Sequence, residues 1–313
     1  MILEQNTIAI IWDFDKTLID GYMQDPIFKK YHIDSKKFWE EVNSLPAKYQ
    51  EKGIRVNKET IYLNHMITCT LQGIFPELTN QLLFDLGSEL NFYPGVPKIF
   101  HDLKESIQTN IKYQKYGIHV EHYIVSTGLT QMIKGSAISK YVDGIWGCEF
   151  IEDPILSELS EKRLDKKAVI QQPGYIIDNT SKTRAIFEIN KGVNKYEYVE
   201  VNSKMESKDR RVPFENMIYI ADGPSDVPVF SILQRAGGKT FAIYPKGNVE
   251  AMEQVDNLRR DGRIDMYAEA NYTKDSTTYL WLTNQTKKIA DKIYEQHEDE
   301  IKKAVKAPPT HLT

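Results

Sequence analysis

The chain has 313 residues, 41% of them hydrophobic and 27% charged, with a formal net charge of −4 and a pI near 6.0. That length buries a substantial core, and the mild acidity offers no footprint for a nucleic acid or an anionic membrane surface while leaving a small phosphorylated molecule as a fitting partner. Two cysteines, Cys69 and Cys148, without CxxC spacing exclude a disulfide framework and fit a reducing compartment, the cytoplasm by default.

Thr7 to Phe14 reads as a buried strand; the run is too short to span a membrane and is interrupted by Asp13. From Pro26 to Leu90 the pattern turns helical, with "SKKFWEEVNSL", "KETIYLNHMITCTLQG" and "LTNQLLFDLGSEL" and no convincing strand. After the Pro/Gly boundary of "NFYPGVPKIF", a helix runs from Pro97 toward Ile107, and "GIHVEHYIVSTG" returns to a strand. His119 and His122 in it fall on opposite faces, which argues against a metal pair. Further strands are expected at "GIWGCEFI", "GYIID", "NMIYIAD" and "KTFAIYP", and helices at "SKTRAIFEIN", "DVPVFSILQRA" and "NVEAMEQVDNLRR". The polar stretch 193–213 reads as an elaborated loop or hairpin, and 276–303 as a long exposed helix. Alternating strands and helices imply an α/β fold, a Rossmann-like, doubly wound, mostly parallel sheet. Residues 1–20 and 91–313 would form this core and 21–90 an inserted all-helical domain.

In open parallel sheets ligands bind outside the carboxyl ends of the strands. The first strand ends at Asp13-Phe14-Asp15-Lys16-Thr17, the second at Ser126-Thr127-Gly128, and a later one at Asp222-Gly223-Pro224-Ser225-Asp226, while Lys182 starts the helix after "YIIDNTS". So many carboxylates in one crevice demand a cation, and Mg²⁺ is the hard ion that accepts a few carboxylates plus phosphate oxygens. Asp13 is the candidate nucleophile, giving an aspartyl-phosphate; Asp15, two positions on, is the candidate acid and base. Thr17, Ser126 and the backbone near Thr127 and Gly128 would hold phosphoryl oxygens, Lys182 would neutralise nucleophile and phosphate, and Asp222 would complete the metal shell with Asp226 in or behind it.

These residues carry a resemblance. "DFDKT" resembles the DxDxT signature of the haloacid-dehalogenase (HAD) superfamily, "IVSTG" its second motif, Lys182 its third and "ADGPSD" its fourth, in that order from Ile8 to about Tyr244. The resemblance implies a Rossmann-like core with a Mg²⁺-dependent aspartate nucleophile, and the insertion at 21–90 is similar to a helical C1 cap, nearest to phosphoserine-phosphatase-like enzymes. It also implies that Asp13 and Asp222 give carboxylates to Mg²⁺ and Asp15 its backbone carbonyl. The expected activity is hydrolysis of a small phosphomonoester. A non-catalytic HAD-like module binding a metabolite or protein is the alternative, as is phosphoryl transfer to an alcohol from the same intermediate.

The chain departs from that pattern in places. Phosphoserine phosphatases place a glutamate that reads the substrate amino group nine residues after the nucleophile, where this sequence has Tyr22. Tyr22, Met23, Asp20 and Asp25 are therefore the candidate specificity residues. Ala221 stands where glycine is usual, and Lys166 and Lys167 compete with Lys182 for the third motif. "DKT" at Asp15 to Thr17 also occurs in P-type ATPases, but Leu18 follows where that family has glycine, and no transmembrane segment is apparent. The aromatic residues Phe28, Tyr31, Phe38, Trp39 and Tyr62 are expected to form the small core of the inserted domain.

Overall fold

The computed structural model describes residues 4–155 and 168–306. Its sheet has seven strands among these residues, β1 (Thr7–Trp12), β2 (His119–Leu129), β3 (Gly144–Ile151), β4 (Gln172–Tyr175), β5 (Met217–Ala221), β6 (Lys239–Tyr244) and β7 (Met266–Glu269), in the order β4-β3-β2-β1-β5-β6-β7. All pairings are parallel except β3 with β4. β1 lies in the middle because "TIAIIW" is apolar on both faces and every residue is buried. The chain goes from β1 to β2 on one side and later returns to β5 on the other, so the order reverses beside β1 and opens a crevice at its carboxyl end.

Helices α1 (Asp25–Lys30), α2 (Ser35–Glu51), α3 (Ile61–Leu71) and α4 (Asn80–Gly87) fill the interval between β1 and β2. Asp34 caps α2 by accepting from the Lys36 and Lys37 N–H groups, and Thr79 caps α4 through Leu82 N–H. Phe28, Phe38, Trp39, Phe75 and Tyr31 pack ring against ring, with centroids 4.7 to 6.4 Å apart. The aromatic residues here thus form a small core, as expected. α4 rests on α7 (Thr130–Gly135) at backbone contact, since a Cβ at Gly135 would lie 1.7 Å from the Phe84 carbonyl oxygen.

Helices α5 (Lys98–Gln108) and α6 (Ile111–Gln114) lead into β2, and α8 (Ser181–Lys191), α9 (Val227–Arg235) and α10 (Val249–Arg260) complete the flanking layers. Gly192 ends α8 in the left-handed conformation, φ 83°. Among the described residues, no helix is long and apolar enough to cross a membrane.

Three expectations are corrected. The strand expected at "GYIID" forms at Gln172–Tyr175 instead and runs antiparallel, as an edge strand that tolerates Pro173. The terminal helix, α11 (Thr277–Lys306), is not simply exposed: Leu282, Thr286, Ile289, Ala290 and Ile293 form a buried stripe, and it packs on α5 and β7. β7 was not expected at all. The 193–213 stretch is a loop with a single 3₁₀ turn at Ser207–Asp209, tied down where Arg211 grips Glu121 of β2 through two hydrogen bonds of 2.7 and 2.6 Å. The two histidines of β2 do separate: His122 is fully buried against Trp12, while His119 meets Thr7 and Glu121.

Candidate active site

β1 delivers Asp13 to the crevice, and its N–H continues the ladder by donating to the Ile220 carbonyl at 2.9 Å. Phe14 then turns into the protein and the chain folds back, which sets Asp15 beside Asp13 and returns Thr17 beneath it. Thr17 Oγ1 donates to Asp13 Oδ2 at 3.2 Å, and Tyr272 OH fixes the Thr17 carbonyl at 2.6 Å.

The first turn of α8 brings Lys182 under the same point. Its Nζ donates to Asp13 Oδ1 at 2.8 Å and to Asp226 Oδ1 at 2.7 Å, with the lysine 1% exposed. Asp226 is further held by Tyr219 OH and by Ser225 Oγ at 2.7 Å. Carboxylate oxygens of Asp13, Asp222 and Asp226 all lie within 4.8 Å of one another. Lys166 and Lys167 lie outside the described residues.

One ammonium shared by two carboxylates does not offset the cost of burying this cluster. Burial pushes Asp13 above the usual carboxylate range against the pull of Lys182, with the charge of Asp226 adding to the rise. Burial, then the charges of Asp13 and Asp226, raises Asp222 as well. Asp15 is pushed up to about 8, by burial first and then by the Asp13 charge, although Met23 N–H donates to its Oδ1 at 2.9 Å. Lys182 is driven up by Asp13 and Asp226 despite its burial. A buried surplus of negative charge that lifts three carboxyls is the donor set a hard divalent cation fits.

At the end of β2, Ser126 Oγ accepts from Gly128 N–H at 3.0 Å, and the Thr127 carbonyl accepts from Tyr62 OH of α3 at 2.7 Å. Met23 is buried across the same turn: its Sδ accepts from Leu129 N–H at 2.8 Å, and a Cβ at Gly128 would lie 2.2 Å from its Cε. Tyr22 is partly exposed and accepts from Lys16 Nζ at 2.7 Å. Asp25 accepts from Tyr22 N–H at 3.2 Å, and Asp20 accepts from Tyr93 OH at 3.3 Å beside a cavity of about 810 Å³ that Lys246 and Asn248 also line.

The structure thus brings Asp13, Asp15, Thr17, Lys182, Asp222 and Asp226 into one cluster and sets the Ser126–Gly128 turn against Met23 and Tyr62. Sequence reasoning missed Tyr219, Tyr62 and Lys16. The first two sit inside apolar runs that read as core; Lys16 was in plain view as one of the two variable positions of "DFDKT".

The central β1, the reversal of strand order beside it and the helices on both sides define a Rossmann-like, doubly wound α/β fold. No protein-family model matches the chain. An uncharacterized protein of Borreliella burgdorferi is 39% identical over 284 residues, covering 89% of this chain and 96% of its own length, and the chain belongs to the family of that protein. Among solved structures, the chain is similar to a HAD family hydrolase from Salmonella enterica serovar Typhi, with 15% identity, TM-score 0.49, and 85% of this chain and 68% of that one covered. It is similar to a phosphoserine phosphatase captured as a phospho-aspartyl intermediate analogue, with 14% identity, TM-score 0.47, and 87% and 97% covered. A probable phosphoserine phosphatase from Vibrio cholerae gives 12% identity, TM-score 0.49, and 93% and 68% covered.

Proposed function

We propose that the chain is a Mg²⁺-dependent phosphatase that hydrolyses a small phosphomonoester through an aspartyl-phosphate on Asp13. The observation that carries this reading is the convergence of the Asp13, Asp222 and Asp226 carboxylates within 4.8 Å, with Lys182 bridging Asp13 and Asp226. Asp13 and Asp222, with the Asp15 carbonyl, would hold Mg²⁺, which when bound supplies positive charge to the phosphoryl oxygens and keeps these carboxyls ionised.

The protein's own groups do the rest. An Asp13 carboxylate oxygen attacks phosphorus as the ester P–O bond breaks, and Asp15, whose burial favours the protonated form, gives its proton to the leaving oxygen. Asp15, now a carboxylate, takes a proton from water as the water attacks phosphorus; the aspartyl–phosphate bond breaks, inorganic phosphate leaves and Asp13 is regenerated. Lys182 stays charged and balances the phosphoryl group, while Ser126, Thr17 and the backbone of Thr127 and Gly128 hold its oxygens. Asp226 positions Lys182, since its Oδ1 takes Lys182 and Tyr219 and its Oδ2 takes Ser225. Residues 21–90 act as a cap over a core of 1–20 and 91–313.

The test is direct. Purified protein with Mg²⁺ should hydrolyse 4-nitrophenyl phosphate, lose that activity in excess EDTA and lose it with Asp13→Asn, because an amide is neither nucleophile nor good metal ligand. Beryllofluoride should raise the melting temperature only with Mg²⁺ present. Full activity in Asp13→Asn would sink the nucleophile assignment.

A further inference from the structure

Lys16 stands in the left-handed region, φ 54°, where a long-chain residue carries a backbone cost that asparagine or glycine would largely avoid. Such a cost at the lip of a reactive cluster directs attention to the side chain. Its ammonium donates to Tyr22 OH at 2.7 Å and lies 4.3 Å from the centroid of that ring. Tyr22 is braced in turn by Trp39, 5.5 Å between centroids, and Trp39 by Tyr62 at 5.9 Å.

The ammonium is half-buried beside the reacting carboxyls, yet its hydrogen bond goes to a neutral phenol, and among the described residues it forms no ion pair within 4.0 Å. The two carboxylates on hand to read a substrate ammonium are each engaged, Asp25 by Tyr22 N–H and Asp20 by Tyr93 OH. At this end of the site Lys16 is thus a cation with no carboxylate hydrogen-bonded to it, with the charges of Asp222 and Asp15 nearby. Its position is also constrained by chemistry, because Lys16 is the immediate neighbour of Asp15, the group that protonates the leaving oxygen, so whatever that oxygen belongs to passes close to Lys16.

We propose that Lys16, held by Tyr22, is a specificity determinant that selects phosphomonoesters whose leaving group carries a second negative charge near the ester oxygen and rejects those carrying an ammonium. This rests on the phosphatase reading above and assigns it a substrate class. Lys16 contributes a cation free of any carboxylate hydrogen bond, Tyr22 fixes it, and Tyr22 is itself set by the Trp39 and Tyr62 rings behind it.

The test uses three substrates of matched size, phosphoglycolate, ethyl phosphate and phosphoethanolamine, whose two-carbon leaving groups are anionic, neutral and cationic. Wild-type kcat/KM should fall in that order, with the first exceeding the last by about tenfold or more. Lys16→Asn, which suits the left-handed backbone, should keep or raise the melting temperature while shrinking the anion-to-cation ratio to within about threefold, and Lys16→Glu should invert it. Equal efficiencies in the wild type, or an unchanged ratio in a folded Lys16→Asn, overturn the inference and leave the phosphatase reading standing. No turnover of these three or of 4-nitrophenyl phosphate with Mg²⁺ overturns both.

Discussion

Asp13 and Asp15 share a turn but not an environment, and on the phosphatase reading the difference fits them for different work. Asp13 is held by Lys182 and Thr17, an orientation suited to attack, whereas Asp15 has Met23 N–H as its hydrogen-bond donor and is pushed up to about 8 by burial and by Asp13. Asp15→Asn keeps the acceptor for Met23 but has no proton to give, so kcat/KM, which reports the first chemical step, should fall by about 10²–10⁴ for an alkyl phosphate and by much less for 4-nitrophenyl phosphate, whose phenolate leaves unaided. Equal losses on both substrates would remove the acid role. Tyr219→Phe isolates the support of Asp226: losing one buried hydrogen bond to a charged group, worth about 1.5–3 kcal/mol, should lower kcat/KM by roughly 10- to 100-fold without loss of fold, as steady-state kinetics and circular dichroism would show. The acidic residues and Lys182 were legible because charge at the end of an apolar strand, or at a helix start facing it, is costly unless used. Tyr219 and Tyr62 were not, because an aromatic residue in an apolar run gives no sign that its hydroxyl has a partner.

Strongly patterned elements were read closely, and the failures have local causes. β1, β2, β3, β5 and β6 are long or continuous apolar runs and appear where expected, while β7, "MYAE", has four residues with no β-branched run, and α11 hides its stripe among charges. Packing at two elements yields predictions. At the α4–α7 contact Gly135→Ala would press a Cβ to 1.7 Å from the Phe84 carbonyl oxygen, a backbone atom that cannot swing away, so urea unfolding should show a loss of about 1–3 kcal/mol or more. On β2, His122 accepts at Nδ1 from Trp12 Nε1 and donates from Nε2 to the Phe100 carbonyl, and burial first, then the charge of Lys104, lowers it to about 3. A base depressed in the folded state takes up its proton more readily when unfolded, so its contribution is complete above about 6.5 and is lost as pH falls from there toward 3. Stability measured between pH 7 and 4 should therefore fall less steeply in His122→Gln than in wild type, and parallel curves would discount the histidine.

At the scale of the whole molecule the helical insertion packs beside the site, where Asp13 is 5% exposed. On the phosphatase reading this is the closed form, and the contacts that hold it fall on segments that carry site residues. Tyr62 OH holds the Thr127 carbonyl on one side, while on the other Asn57 Nδ2 donates to Asp178 Oδ2 at 3.1 Å and Asn179 N–H donates to Glu59 Oε2 at 2.8 Å, immediately before Lys182. Opening the insertion would break these bonds, whereas the contact of α4 with α7 at Gly87 and Gly135 is close-packed backbone on backbone. The Asn57 and Glu59 bonds are solvent-exposed, so together they hold the closed form by only about 1–2 kcal/mol. Replacing both in Asn57→Ala/Glu59→Ala should therefore raise the open population about 5- to 30-fold. Hydrogen exchange would read this as faster exchange of the amides at the start of α8 and in α3, and global unfolding should lose the same about 1–2 kcal/mol, because the closed ground state itself loses the bonds. Unchanged protection at α8 would mean that Tyr62 and Met23 alone hold the insertion down, and amides of α3 and α8 as well protected as those of β1 in the wild type would mean that the insertion and core open as one unit.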